Sequence, residues 1–244
     1  MNAFAAQIGS DAASAVQSVI LAVGGVREIT LFAPPSVLPL QKRTTLDHDE
    51  AAIVLRALAL RGERHFPFWD AAMLSSFESS KVPEHLLDAA TLHNSQREES
   101  QNVDCASEIA EEIRQLAQRQ YSGRVLAVSS RVQLANGSVA HLPMLDFHCP
   151  ESPKNLNLVS AVLRRLRITR GVILRSGKSY HFYGAFLLSQ DSFVDFLARA
   201  LLFCPIIDRA WISHQLIETA AGLRVSGRAD GTDVPTIVSV LNDA

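Results

Sequence analysis

The sequence has few cysteines, and no two of them stand at the spacing of a redox motif or a metal site. Cys105, Cys149 and Cys204 are scattered along the chain and odd in number. This pattern excludes a dense disulfide framework and a CxxC motif. It favours a reduced, cytoplasmic setting.

The N-terminal part of the chain lacks the features of a targeting or membrane-spanning segment. No basic residue precedes Arg27, and the apolar runs before it are broken by Gln, Ser, Asp and Gly. We therefore expect neither a signal peptide nor a membrane span, and no membrane partner.

Three widespread catalytic signatures, GxxxxGK[ST], GxSxG and HExxH, are also missing. The tetrapeptide SGKS at residues 176–179 is similar to the end of a phosphate-binding loop. It lacks the upstream glycine at the required spacing and lies between two predicted strands, whereas such a loop precedes a helix. We therefore exclude a nucleotide site of that type.

The chain has an ordinary globular composition with a local excess of positive charge. The 244 residues are 48% hydrophobic, and the formal net charge of −2 argues against a protein that binds polyanions over its whole surface. Residues 152–190 nevertheless contain no acidic residue and hold Lys154, Arg164, Arg165, Arg167, Arg170, Arg175 and Lys178. This local field indicates a phosphate or nucleic-acid ligand, although the helix arginines are equally compatible with a solvated face.

Polar residues 93–104 predict a boundary between two regions. Residues 1–104 form a mainly helical region of unknown role, and residues 105–244 form the core. Within the core, Asn136-Gly137 joins two alternating runs and predicts a β-hairpin, because this dipeptide tolerates positive φ at both turn positions. The elements expected next are strand 138–147, helix 153–167, strands 170–176 and 179–188, helix 191–203 and an extended piece at 206–211. Their order predicts an α+β fold with a ferredoxin/RRM-like βαββαβ core.

Three short motifs contain the chemically interesting residues of this core. MLDFH places Asp146 and His148 at one strand end, SYHFYG places Ser179 and His181 on a later strand, and IIDRAW supplies Asp208 after one more helix. Carboxylates within a cationic field indicate a metal ion together with a phosphate.

The combination of these motifs resembles the archaeo-eukaryotic primase (primase-polymerase) superfamily over about residues 123–240. Members carry an apolar strand ending in Asp-x-Asp or Asp-x-Glu, a Ser-x-His strand and a later Asp. The stretch GLRVSG is similar to the strand that helps to hold nucleotide phosphates in some members. The resemblance implies metal-dependent, template-directed nucleotidyl transfer from nucleoside triphosphates on single-stranded DNA or RNA.

The resemblance also implies roles for individual residues. Asp146 and Asp208 would be catalytic metal ligands, and His148 stands where the family has its second acidic ligand. Because imidazole suits Mn better than Mg, the expected cofactor is Mn or Mg with a shift towards the softer ion. The nucleotide-binding candidates are Lys178, Ser179, His181 and Arg224, and the nucleic-acid-binding candidates are Arg164, Arg167, Arg170 and Arg175.

His148 leaves a second hypothesis open, namely a catalytically degenerate module that binds nucleotide or nucleic acid within a larger complex. A scaffold protein with an accidental resemblance is a third. No zinc-binding or helicase segment accompanies the core, so we expect dependence on a protein partner.

Phe182 and Tyr183 follow His181 in the sequence. These two aromatic residues either stack on a base or belong to the core. If His181 faces the ligand, Tyr183 shares its side and Phe182 does not.

Overall fold

The structure is a computed structural model, and the residues that it describes are 4, 6–34, 48–64, 66, 68–78, 100–105, 108–119, 125–228 and 233–242. The chain divides into two compact units, one made of residues 1–34 with 95–244 and the other of residues 35–94. This division differs from the boundary predicted at residue 104. The reason is that strand β1 (Val26–Phe32) pairs with both β2 (Ser100–Asp104) and β3 (Ala127–Leu134).

The smaller unit contains the helices α2 (His48–Arg64) and α3 (Phe68–Glu78). They meet through a small apolar cluster of Ala57, Leu60, Ala71 and Ala72. Helix α3 has an acidic residue in its first turn, Asp70, which suits the positive end of the helix dipole. None of the described helices in either unit is long and apolar enough to cross a membrane.

The larger unit begins with helix α1 (Ala12–Val23), which contacts α4 (Ile109–Arg119). The N-cap of α1 is Asp11, whose carboxylate accepts the N–H of Ser14. Gly24, at φ +69°, ends the helix, as its conformational freedom allows.

The first sheet has the order β2-β1-β3-β4, with β8 (Gly222–Arg224) also paired to β3. Strand β4 (Val139–His141) follows β3 through the predicted hairpin, which is confirmed. Of the two turn residues, Gly137 has a positive φ of +83° and Asn136 does not. The Asn136 side chain instead accepts the N–H and the hydroxyl of Ser138, so this turn needs only one residue with left-handed geometry.

The second sheet is fully antiparallel, with the order β5-β7-β6-β9. Its strands are β5 (Met144–Asp146), β6 (Gly171–Arg175), β7 (Tyr180–Gly184) and β9 (Thr236–Leu241). Helix α5 (Pro153–Arg165) connects β5 to β6, and β7 lies between these two strands. This arrangement is a split β-α-β unit, and the predicted α+β class is confirmed.

The ferredoxin/RRM-like core is not confirmed, because no described residues form its fourth strand at the expected edge, beside β5. After helix α6 (Gln190–Leu201), Ile207 forms an isolated bridge with Phe147, the residue that follows β5. Asp208 then caps helix α7 (Arg209–Glu218) by accepting the N–H of Trp211 at 2.9 Å. The helix begins where the strand would have continued, and β9 extends the opposite edge of the sheet.

The two faces of the second sheet have different neighbours. Tyr180 and His181 are adjacent on β7, so their side chains point to opposite faces. The Tyr180 hydroxyl donates to the carbonyl of Ser152, the N-cap of α5, which places α5 on the Tyr180 face. Tyr183 lies on the His181 face, and its hydroxyl donates to the carbonyl of Arg224 in β8 at 3.4 Å. The His181 face is therefore directed towards the first sheet.

Candidate active site

The three predicted motifs meet at one end of the second sheet. Asp146, the last residue of β5, is the direct cross-strand partner of His181 on β7. The backbone N–H of Asp208 donates to the carbonyl of Asp146 at 3.0 Å, so the start of α7 lies against the end of β5. His148 follows two residues later, and its Nδ1 lies 3.6 Å from Oδ2 of Asp208. Four sequence-predicted site residues are thus neighbours.

His181 is the most buried member of this group, with 4% of its surface exposed. Its Nε2 lies 3.6 Å from Oδ1 of Asp146, whereas its Nδ1 is buried and has no hydrogen-bond partner among the described residues. Burial, reinforced by the positive charges of Arg224 and Arg228, lowers the pKa of His181 to about 3. The imidazole is therefore neutral near pH 7, and the described residues leave the hydrogen-bonding capacity of its buried Nδ1 unused.

The two carboxylates of the site differ in their proton affinity. Burial, together with the negative charge of Asp208, raises the pKa of Asp146 to about 7. Its side chain is still 28% exposed, so solvent and ligands reach it. Burial also acts on Asp208, but the nearby His148 ring and the N–H of Trp211 leave the pKa of Asp208 below its ordinary value. Asp146 is thus the carboxylate that lacks sufficient positive charge nearby.

The chemistry of this donor set fits a divalent cation. Two carboxylates that repel each other, one with a raised pKa, gain from a cation held by both. The geometry is only partly prepared for one, because each carboxylate faces an imidazole. Within the described part of the chain, no three His, Cys, Asp or Glu side chains are grouped as the ligands of one metal ion.

The backbone around His148 is fixed by hydrogen bonds on both sides, among them that of the Phe147 N–H to the carbonyl of Tyr180 at 2.9 Å. The N–H of His148 donates to the carbonyl of Ile206 at 2.7 Å. The Ser179 hydroxyl donates to the carbonyl of Phe147 and accepts the N–H of Cys149 at 3.1 Å. The predicted nucleotide contact Ser179 is therefore engaged with the peptide groups on both sides of His148.

Arg224 is buried and donates to carbonyls from two segments of the chain. Its Nη1 lies 2.7 Å from the carbonyl oxygen of Ser226 and 2.9 Å from that of Asp233, and its Nη2 donates to the carbonyl of Ser176. These bonds tie the turn between β6 and β7 to the connection between β8 and β9. The predicted contact of Arg224 with nucleotide phosphates stays a prediction.

A second arginine, Arg228, lies four residues further along and is not among the site residues predicted from the sequence. Arg228 is exposed, and its positive charge lowers the pKa of Asp146 and that of His181, which places it in the field of the site. The signal was present in the sequence, since GLRVSGR carries a second cation at the end of the stretch that is predicted to hold phosphates. An exposed arginine near a buried imidazole with an unpartnered nitrogen is suited to a phosphate.

The family model described as archaeo-eukaryotic primase 1D-like matches residues 105–236, which is more than half of the chain. The chain belongs to this primase family. The match covers Asp146, His148, His181, Asp208 and both arginines, and it confirms the resemblance seen in the motifs. A search of curated proteins and a search of solved structures gave no significant match.

Lys178, the next predicted residue of the primase-like site, is exposed in the turn between β6 and β7. The N–H of Gly177 donates to Oε1 of Glu151 at 2.7 Å, which anchors this turn beside the end of β5. Glu151 also approaches Nε of Arg175, at 3.9 Å. The acidic residue just before the basic stretch therefore holds the turn that presents Lys178.

The predicted nucleic-acid contacts are not gathered around the primase-like site. Arg175 is paired with Tyr180 in the sheet, and therefore lies on the face opposite His181. Arg164 and Arg167 are exposed at the far end of α5, and the Arg170 guanidinium lies 5.8 Å from the centre of the Phe4 ring. Their role in nucleic-acid binding stays a prediction.

The aromatic neighbours of His181 belong to the core. Phe182 and Tyr183 are both 0% exposed, so neither is available to stack on a base. Tyr183 does share the face of His181, as the strand alternation predicts. Cys149, which follows His148, is also buried, and the two residues are not joined by further metal ligands among the described residues.

Proposed function

We propose that this primase-family chain is a metal-dependent, template-directed nucleotidyltransferase that acts on nucleoside triphosphates and a single strand of DNA or RNA. The observation that carries the proposal is the meeting of Asp146, Asp208 and His181 at one sheet end, where the buried Nδ1 of His181 has no partner among the described residues. A carboxylate with a raised pKa in the field of the exposed Arg228 is an arrangement suited to a metal-bound triphosphate.

In this proposal, each residue has a distinct task. Asp146 and Asp208 hold a divalent cation, Mn or Mg, which offsets the charge on the phosphate oxygens during transfer. His181, neutral and rigidly placed on β7, offers its unpartnered ring nitrogen to the triphosphate. Lys178 and Arg228 approach from two different loops and add charge-assisted contacts to the phosphate oxygens.

His148 determines which cation the site prefers. It stands in the position of an acidic residue, so the ligand set has one negative charge fewer than the family pattern. Hard Mg²⁺ depends on oxygen ligands, whereas Mn²⁺ also accepts imidazole. We therefore expect activity with Mn²⁺ to exceed activity with Mg²⁺.

The test is nucleotide incorporation on single-stranded DNA, with and without a primer, in Mg²⁺ and separately in Mn²⁺. All ribo- and deoxyribonucleotides are supplied, and Asp146→Ala is compared with Asp191→Ala, which removes an exposed aspartate from the first turn of α6. We expect product from the wild type and from Asp191→Ala and none from Asp146→Ala. Equal product from both variants would exclude Asp146 as a catalytic ligand.

A second candidate function is a non-catalytic module that binds nucleotide or a nucleic-acid end beside a protein partner. It is favoured by the contact of His148 with Asp208, where the family pattern has a further carboxylate. A binding assay with a non-hydrolysable triphosphate, combined with the incorporation assay, distinguishes the two functions. Binding without synthesis in either metal, with synthesis gained in His148→Asp, would identify the degenerate module.

A further inference from the structure

The Ser179 hydroxyl has its single proton committed inside the protein. A serine hydroxyl has one O–H donor, and in Ser179 this donor points to the carbonyl of Phe147. The oxygen also accepts the N–H of Cys149 at 3.1 Å. A phosphate oxygen needs a donor, so Ser179 reaches a triphosphate only by giving up its bond to Phe147.

The two peptide groups held by Ser179 flank His148 directly. The His148 side chain is 56% exposed, and its Nδ1 lies 3.6 Å from Oδ2 of Asp208. The position of this side chain also depends on the backbone of residues 147–149, which is fixed by the Ser179 hydroxyl on one side, by the carbonyl of Ile206 on the other, and by the bond of the Phe147 N–H to the carbonyl of Tyr180. Loss of the hydroxyl removes both bonds on the Ser179 side.

We propose that Ser179 is a positioning residue, which aligns His148 with Asp208 and makes no contact with the nucleotide. The inference rests on the proposed function, because it assigns a task within the same site. The sequence resemblance implies that Ser179 contacts the nucleotide. In this inference Ser179 instead supports His148, which stands in the place of the second carboxylate.

A double-mutant cycle tests this assignment. The affinity for a non-hydrolysable nucleoside triphosphate is measured in Mn²⁺ for the wild type, Ser179→Ala, His148→Ala and the double variant. We expect Ser179→Ala to weaken binding about 3- to 10-fold when His148 is present and less than about 2-fold when it is absent, since coupled residues are not additive. An equal loss in both backgrounds would show that Ser179 acts on the nucleotide directly and would overturn the proposal.

A spectroscopic measurement tests the same assignment without any nucleotide. The imidazole ring signals of His148 are recorded by NMR in the wild type, Ser179→Ala and Ser160→Ala. Ser160 is a matched control, because its hydroxyl also donates to a backbone carbonyl, that of Leu156 on α5. We expect the His148 signals to move or broaden in Ser179→Ala alone. Unchanged signals would overturn the proposal.

The two measurements also separate this inference from the proposed function. If no variant binds nucleotide, the proposed function fails, and the ring signals alone decide the role of Ser179. Ser179→Thr keeps the hydroxyl and is expected to restore both affinity and ring signals to the wild-type values. If Ser179→Ala does not fold, Ser179→Cys replaces it, because a thiol is a much weaker hydrogen-bond donor of similar shape.

Discussion

Asp146 and His181 are direct cross-strand partners on β5 and β7, with Oδ1 of the aspartate 3.6 Å from Nε2 of the histidine. The pKa of the histidine is lowered to about 3 by burial and two arginines, and the pKa of the aspartate is raised to about 7 by burial and Asp208. Above pH 7 the pair is therefore a carboxylate beside a neutral ring. The neutral imidazole does not compensate the negative charge of Asp146. A cationic ligand is needed to offset this charge.

Asp146→Asn should therefore stabilise the fold while it abolishes metal-dependent nucleotide binding. A carboxyl whose folded pKa is raised contributes stability below its unfolded pKa and loses that contribution as the pH rises through its folded pKa. The wild type should lose stability relative to the variant between about pH 4 and pH 7, and the variant should be more stable by about 1–2 kcal/mol at about pH 8. Chemical denaturation at about pH 4 and at about pH 8 measures this difference in the free energy of unfolding.

The control for this experiment is Asp191→Asn, whose exposed carboxyl lies outside the site. We expect it to change stability by less than about 0.5 kcal/mol at either pH. A less stable Asp146→Asn protein at about pH 8 would mean that the carboxylate is already compensated within the chain. Metal-dependent nucleotide binding, measured on the same samples, should be absent in Asp146→Asn and intact in the control.

The two arginines near the site should behave differently when truncated. Arg224→Ala removes three hydrogen bonds to buried or partly buried carbonyls, so we expect a loss of about 2–4 kcal/mol in the free energy of unfolding. Arg228→Ala removes an exposed cation and should change stability by less than about 0.5 kcal/mol. It should instead weaken triphosphate binding about 10-fold, through the loss of a charge-assisted contact. Unchanged affinity in a stable Arg228→Ala protein would contradict its role at the phosphates.

Local patterns in the sequence predicted local structure well. The Asn136-Gly137 hairpin and the split β-α-β unit were both predicted from runs of alternating or helical spacing. The same patterns located Asp146 and His181 on neighbouring strands, because strand order and side-chain alternation determine which residues face each other.

Features that depend on distant parts of the chain were not predicted. Asp208 was expected on an extended segment, yet it is the N-cap of α7, where its backbone also reaches the end of β5. An aspartate before a helical run is a recognisable cap signal, but it does not reveal that β9 takes the other edge of the sheet. The task of Arg224 likewise depends on carbonyls up to 48 residues away in the sequence.

The ion pair between Asp11 and Arg114 should make stability dependent on acid pH. Nε of Arg114 lies 2.8 Å from Oδ2 of the aspartate, and the arginine, with Ser14, lowers the pKa of Asp11 to about 2. A lowered folded pKa contributes stability above the unfolded pKa, and that stability is lost as the pH falls from about 4 to about 2. Because both side chains are partly exposed, we expect Asp11→Asn to cost only about 1 kcal/mol near pH 7.

The difference in the free energy of unfolding between Asp11→Asn and the wild type should shrink towards zero as the pH falls to about 2 and below, as followed by urea denaturation. Glu111→Gln is the matched control, because Glu111 pairs with the same arginine at 3.5 Å but is more exposed. Its effect should stay below about 0.5 kcal/mol. A gap for Asp11→Asn that is constant with pH would show that the cap hydrogen bond, and not the charge, is responsible.

The arginines at the end of α5 should contribute to nucleic-acid binding and not to triphosphate binding. Arg164 and Arg167 are exposed there, close in sequence to the start of β6, whose first residue pairs with Gly184 at the end of β7 away from His181. The test variant combines Arg164→Gln with Arg167→Asn, because Arg167 has a φ of +59° and Asn tolerates left-handed geometry. This choice removes both charges without straining the backbone.

Single-stranded DNA affinity is then measured over a series of salt concentrations. Each lost phosphate contact lowers the slope of log affinity against log salt by about 0.7, so the double variant should lower it by about 1.4. Arg119→Gln, at an exposed position on α4, is the control and should leave the slope unchanged. An unchanged slope in the double variant would identify these arginines as the solvated face of α5. The binding site for single-stranded DNA would then have to be sought on the His181 side of the sheet.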